Sequence, residues 1–293
     1  MDAPEGWLQY ADWRGEQGSV VGRVLVRPRV RNDALANDRH VLVYLPPSLD
    51  RGNGDRRFPV LYMHDGQNLF DAASGPGAEW QIDETMEALS AEGVEAIVVG
   101  IPNARIADPP LDTGRALEYS RHPHPQRGGG GADDYLGFLE RAVKPLIDRD
   151  FPTDPHPAAT GIAGSSLGGM ISLYALIARP DVFGLAGVMS PAFWFDGGRL
   201  LAKRAPALRP GARIYIDVGG REGSHEPVEA ERAEMSRRYV DDARTLANLL
   251  RANGFRDGED LLYVEDPEAV HHETAWAKRS PDMLRFLLAP WRR

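Results

Sequence analysis

Short apolar runs recur along the chain at Val20 to Val26, His40 to Leu45, Pro59 to His64, Ala96 to Ile101, Ala159 to Ala163, Leu185 to Met189, Arg213 to Val218 and Leu261 to Glu265. Several are rich in Val and Ile and bounded by Gly or Pro, so they predict eight strands. Helical spacing fills the later intervals. Tyr135, Phe138, Leu139, Ala142, Leu146 and Ile147 share one face, with Pro145 expected to kink or restart that helix. Tyr239, Val240, Ala243, Leu246, Ala247 and Leu250 mark a second helix, stopped at Gly254. Met170 to Ala178 is apolar nearly all round, and Thr274 to Leu288 predicts a final helix interrupted around Pro281. Strands first, then strands alternating with helices, predict an α/β fold: an eight-stranded, mostly parallel sheet with an antiparallel start, flanked by helices. No internal repeat or linker divides it, so one domain is expected over residues 1–293.

Pro102 to Ala132 breaks this rhythm. It holds Pro109-Pro110, His122-Pro123-His124-Pro125 and Gly128 to Gly131, and is expected to be a long loop. Its four glycines lack the following Gly-Lys-Ser/Thr of a phosphate loop, which excludes nucleotide binding there.

Between the fifth strand and the apolar helix lies Gly164-Ser165-Ser166-Leu167-Gly168, a G-x-S-x-G pattern centred on Ser166. A protruding nucleophile needs a sharp, strained strand-to-helix turn, where side chains two residues either side of the apex would collide. Glycine at both positions answers that need. An ordinary Gly/Ser turn would show the same five residues, so the strand before and the helix after carry the weight.

Composition narrows the chemistry. Cysteine is absent, which excludes thiolate nucleophiles, disulfides and cysteine-held zinc. The formal net charge of −9 argues against nucleic acid and anionic membranes as partners. No apolar run is long enough to span a bilayer, and the N-terminus has no basic-then-apolar leader, so a cytoplasmic location is expected. His122 and His124 lack neighbouring carboxylates, and His271-His272-Glu273 lacks the spacing that sets two ligands on one helix face. No metal and no cofactor are expected.

A serine nucleophile needs a base, and the base an orienting acid. In a parallel-sheet hydrolase both follow the serine, acid first, in loops after later strands. Glu222 follows the strand ending at Val218; His271 and His272 follow the strand ending near Glu265. Asp217 is the rival acid, but it falls inside the strand, and the strand-then-loop logic favours Glu222.

The chain resembles the putative-esterase branch of the α/β-hydrolases, which includes enterochelin esterases, feruloyl esterases, esterase D and the mycolyltransferases. Pro59 to Asp71, with its His-Asp-Gly-Gln-Asn-Leu-Phe-Asp core, carries the likeness, together with Gly164 to Gly169, Ser190-Pro191-Ala192-Phe193-Trp194, Gly219 to Glu222, and His271 with Trp276 five residues on. It extends roughly from Val20 to Leu288. The resemblance implies His271 as base, since the family's histidine precedes a tryptophan by five, and Glu222 as acid. Together with the position of the elbow it implies an oxyanion hole from the backbone N–H of Leu167 and of Gly66 or Gln67. Arg115 to Tyr119 resembles a family segment beside the substrate cleft. Trp80, Phe193, Trp194 and Arg115 are the candidate pocket residues, and Arg105, Arg121 and Arg127 add positive charge near them.

These readings converge on a serine esterase acting through an acyl-enzyme, on small or aromatic-bearing esters of feruloyl, siderophore or acylated-sugar type. An acyltransferase with the same triad, or a binding protein on the same fold, would show the same motifs. Labelling by a fluorophosphonate separates the last.

Overall fold

The computed structural model of the protein describes residues 3–50, 55–75, 78–104 and 113–292. One sheet holds nine strands: β1 (Leu8–Gln9), β2 (Arg23–Asn32), β3 (Asn37–Leu45), β4 (Val60–His64), β5 (Ile97–Ile101), β6 (Thr160–Ser165), β7 (Leu185–Met189), β8 (Arg213–Arg221) and β9 (Leu261–Val270). Their order is β1-β2-β3-β5-β4-β6-β7-β8-β9. The first three strands pair antiparallel, β3 meets β5 antiparallel, and every pair from β5 to β9 is parallel. Each of the eight expected strands is present, Leu185–Met189 with the expected ends and the others with one or both ends shifted. The ninth is β1, two residues on the edge of β2, too short to leave a periodic signal.

The helices are α1 (Tyr10–Arg14), α2 (Pro47–Asp50), α3 (Ile82–Ala91), α4 (Thr113–Tyr119), α5 (Ala132–Phe138), α6 (Lys144–Asp150), α7 (Leu167–Ala178), α8 (Arg199–Lys203), α9 (Glu229–Ala252) and α10 (Glu273–Leu288). They cover both faces of the sheet. Alternate strand residues such as Val60 and Tyr62 pack with α5, α7 and α9, while Leu61 and Met63 pack with α3 and α10. Strands buried on both sides are why the apolar runs are continuous rather than alternating. Among the described residues no helix is long and apolar enough to cross a membrane.

Proline behaves differently in two helices. After α5 the chain passes through one π turn, Leu139–Val143, before α6 begins, and Pro145 sits in the first turn of α6 where its missing N–H costs no bond. In α10 the expected interruption at Pro281 does not occur. Pro281 cannot supply the N–H that would reach the Ala277 carbonyl, but the Ser280 hydroxyl donates to that oxygen at 2.9 Å. The helix therefore runs on.

The stretch expected as an uninterrupted loop contains α4. This seven-residue helix buries Ala116, Glu118 and Tyr119, and Glu118 is ion-paired with Arg39 in the interior. About two turns with Gly114 in them carry too little periodicity to be read locally. Its far end is tied back by Gly130 N–H donating to Ser120 and Gly131 N–H to Leu117, both at 2.8 Å. Arg105, Pro109 and Pro110 lie outside the described residues.

Candidate functional site

Ser166 joins β6 to α7 at φ 59°, ψ −121°, a conformation that L-residues with side chains adopt only under constraint. Bonds on both sides of it supply the constraint. Its N–H donates to Met189 O at 3.0 Å, and its carbonyl accepts from Ala192 N–H at 3.1 Å. A Cβ on Gly164 would lie 3.0 Å from the Cβ and Cδ2 of His64 and 3.2 Å from the Gly168 carbonyl carbon. The glycine thus answers to the packed His64 as well as to the turn. Ser165, one position away, is buried at the end of β6.

On the β8–β9 side, Glu222 opens a 3-10 turn directly after β8 and is wholly buried. Its Oε2 lies 2.6 Å from His271 Nδ1. Its Oε1 accepts from the Ser190 hydroxyl at 2.6 Å and from Gly219 N–H at 2.5 Å. Burial pushes the carboxyl pKa up, but the hydrogen bonds and charge of His271, with those of Ser190 and Gly219, outweigh it and hold the group below its ordinary value. An ionised carboxylate only accepts, so it is the Nδ1–H of the imidazole that Glu222 holds. Among the described residues no hydrogen bond closes Ser166 Oγ onto His271. Tyr239 of α9 spans the two, with its ring centroid 5.1 Å from that of His271 and its hydroxyl turned toward Ser166 and the Trp194 indole.

The paired histidines are used differently. His272 is half-exposed and caps α10, its Nδ1 accepting from Thr274 N–H at 3.3 Å. Asp217, the rival acid, is buried within β8 and accepts from Arg279 Nε at 2.9 Å, Tyr215 Oη at 3.1 Å and Ser190 N–H at 3.2 Å. It holds Arg279 rather than an imidazole.

On the β4–β5 side, Asp65 ends β4 at φ 55° and a 3-10 turn, Gly66–Asn68, follows. The N–H groups of Gly66 and Gln67, like that of Leu167 at the start of α7, belong to first helical turns and have no intrahelical acceptor. A Cβ on Gly66 would lie 2.5 to 2.8 Å from the backbone of Gly100 and Ile101, so only glycine lets this turn sit against β5. Arg115 forks onto Asp65, Nε to Oδ1 at 2.9 Å and Nη2 to Oδ2 at 2.8 Å, and reaches Ser165 O at 3.3 Å. Asn103 Nδ2 donates to Asp65 Oδ1 at 2.7 Å. His64 beneath is fully enclosed, with Nδ1 2.9 Å from Tyr135 Oη, and burial pushes its pKa down to about 3.

The candidate pocket residues divide. Trp80 packs against Trp276 in the core at 5.6 Å between rings, and Phe193 is fully buried. Arg115 is engaged by Asp65. Trp194 is half-buried between Phe195, His124 and the Arg127 guanidinium, which lies 5.2 Å from its ring centroid, and its buried Nε1–H faces the Tyr239 hydroxyl.

Sequence reasoning assigned no role to Ser190, Arg279 or Tyr239, and used Trp276 only to pick out His271. Ser190 stands after β7 at φ 41°. Its hydroxyl donates to Glu222 while accepting from Trp276 Nε1 at 3.0 Å and Arg279 Nη2 at 3.1 Å. The available signal was spacing: Trp276 and Arg279 are three apart on one face of α10.

Comparison with known proteins agrees with this architecture. The model of the putative esterase family matches residues 33–287. An uncharacterised Bacillus subtilis protein, YbbA, is 27% identical over 260 residues, covering 86% of this chain and 93% of its own. A siderophore enterobactin esterase of Emericella nidulans is 27% identical over 224 residues, 67% of this chain and 71% of that protein. Among solved structures, the siderophore hydrolase EstA of Aspergillus nidulans superposes with a TM-score of 0.70 at 19% identity, covering 92% of this chain and 97% of that one. With its mostly parallel sheet, helices on both faces and a family match over most of its length, the chain belongs to the putative esterase family, carboxylic ester hydrolases of α/β-hydrolase fold.

Proposed function

We propose that the protein is a serine esterase in which Ser166, His271 and Glu222 form the catalytic triad. The Glu222–His271 contact, 2.6 Å with the carboxylate wholly buried, carries the reading. His271 Nε2 takes the Ser166 proton as Oγ attacks the ester carbonyl. Glu222 holds the ring in the required tautomer and stabilises its cationic form. The tetrahedral oxyanion is received by the N–H of Leu167 and of Gln67 or Gly66, which need no reorientation because their turns fix them. The imidazolium returns its proton to the leaving alcohol. Water, deprotonated by the same nitrogen, then releases the acid and restores Ser166.

Esters bearing a planar aromatic group are the proposed substrates. Trp194 offers a partly exposed ring face beside the Arg127 charge, a combination suited to an aromatic ring with oxygen substituents. Relatives named as siderophore and ferulic acid esterases are consistent with that class. The test is fluorophosphonate labelling of wild type and Ser166→Ala, followed by a panel of feruloyl, catechol-siderophore, acetylated-sugar and simple acetate esters. Labelling that survives Ser166→Ala overturns the triad. Equal turnover of aryl-acid and acetate esters, unchanged by Trp194→Ala, overturns the substrate class.

A further inference from the structure

Away from the triad, the N-terminus of α3 gathers three carboxylates. Glu79, Asp83 and Glu84 each bring an oxygen within 4.8 Å of the others. Asp83 is fully buried and Glu79 is 9% exposed. Each is anchored through one oxygen only: Val21 N–H donates to Asp83 Oδ2 at 2.8 Å, and the Ser19 hydroxyl to Glu79 Oε2 at 3.0 Å. The other oxygens, Asp83 Oδ1 and Glu79 Oε1, are buried and receive no donor, as does Glu84 Oε2, and the Asp83 and Glu84 carboxyls lie within hydrogen-bond reach of each other. Among the described residues no arginine, lysine or histidine forms an ion pair with any of the three, and the charges bearing on Glu79 are those of Glu84 and Asp71.

Buried carboxylate oxygens are normally satisfied, and buried negative charge is normally compensated. Here three such groups face one another with no cationic partner among the described residues, and one oxygen of each receives no donor. We propose that Glu79, Asp83 and Glu84 form a binding site for a hard divalent cation, Ca²⁺ in preference to Mg²⁺. The spread fits: calcium holds its oxygens at about 2.3–2.6 Å, so ligands across one ion stand up to about 5 Å apart. An all-oxygen donor set without His or Cys excludes a zinc-type site. Calcium is favoured because it tolerates an irregular, carboxylate-rich set, whereas magnesium demands a regular octahedron.

The position gives the ion a role. Glu79 ends the loop that begins at Gly66 and Gln67, and that loop is closed by Trp80 N–H donating to Asn68 O at 2.8 Å and Ile82 N–H to Leu69 O at 3.1 Å. Ser19 and Val21 come from the segment leading into β2. A cation here joins that segment, the loop and α3, and so braces the turn from which the oxyanion donors are proposed to come. The site itself does not depend on the assignment of the triad.

The competing state is protonation. Without a cation, burial and the neighbouring Glu84 push Asp83 up to about 9 and Glu79 up to about 7. Chelator-treated protein is to be titrated with CaCl₂ and MgCl₂ at pH 7.5, following thermal unfolding and direct binding by calorimetry. Calcium at a hundredfold excess over its Kd is expected to raise Tm by about 5 °C. Asp83→Asn and Glu79→Gln should each abolish both the shift and the binding. Direct calcium binding by the wild type keeps the test decisive should one variant fail to fold. The proposal is overturned by absence of binding in the wild type, or by a shift that both variants retain. A rise in Tm on Asp83→Asn in metal-free buffer, with no calcium response in the wild type, would assign the cluster to shared protons instead.

Discussion

The two flanks of Ser166 are each anchored by a buried arginine–aspartate pair, but the pairs act on different things. On the β8–β9 flank, Arg279 and Asp217 hold Ser190, and Ser190 holds Glu222. That chain ends on a side chain and sets its charge and direction. On the β4–β5 flank, Arg115 grips Asp65 itself, at the residue whose φ of 55° turns the chain into Gly66 and Gln67. That chain ends on backbone. A proton relay needs a carboxylate of defined ionisation, whereas an oxyanion hole needs only N–H groups of defined position. The same kind of ion pair serves either end because a fork fixes geometry as well as charge.

The sharpest way to break the comparison is to remove the groups both flanks serve. Ser166→Ala should cost at least ~1000-fold in ester turnover with the fold intact. His271→Ala should approach that loss, while His272→Ala should change turnover less than a few fold. Steady-state kinetics on one aryl ester ranks the three, and a reversed order of histidines would refute the assignment.

Arg115→Ala attacks the backbone-directed flank. It leaves Asp65 buried without its partner, a class of change that costs about 3–5 kcal/mol of stability. Urea unfolding should show the full loss, and Arg115→Lys should recover only part of it because an ammonium cannot fork onto both oxygens. Full recovery by lysine would mean that charge alone matters there.

Ser190→Ala attacks the side-chain-directed flank more gently. A hydrogen bond to a charged group is worth about 1.5–3 kcal/mol, so kcat should fall about 10- to 100-fold with KM nearly unchanged. Loss of a donor to the ionised Glu222 also raises its pKa, so activity should fade at higher pH on the acid limb than in wild type. An unaltered pH profile would reduce Ser190 to packing.

The smallest effect concerns His64. Its pKa is about 3 in the fold against 6.5 in the open chain, so the unfolded state binds the proton first. The contribution is whole above pH 6.5 and is lost as pH falls toward 3, at up to about 1.4 kcal/mol per unit. Unfolding of wild type and His64→Gln at pH 7.5 and 5 should show a shallower decline in the variant. Parallel declines would place the acid sensitivity elsewhere.

How much of this was legible in the chain follows from distance along it. The elbow at Ser166 is local, since Gly164 and Gly168 are two residues away, and the order Ser166, Glu222, His271 follows from where strands end. The strand-then-loop logic favoured Glu222 over Asp217, and in the fold Glu222 meets His271 while Asp217 holds Arg279. The partners that bind these groups in place were not legible. Ser190 and Arg279 are 89 residues apart, and Arg115 and Asp65 are 50. Trp80 and Phe193 read as pocket walls because they follow strands on the active side, yet both are enclosed, since an aromatic ring satisfies a core and a mouth equally well by sequence. Pro281 reads as a break, and one serine hydroxyl beside it keeps the helix whole.

Residue type and local order by themselves determined the strand set, the candidate nucleophile Ser166 and the order of its proposed partners, because backbone strain and apolar periodicity act over a few residues. Tertiary structure alone decided that Ser190 and Arg279 are the groups that hold Glu222 and Asp217, and which carboxylates are left facing one another at α3. Those outcomes depend on which distant groups share a water-free space, and there the need to satisfy every buried charge and donor does the choosing.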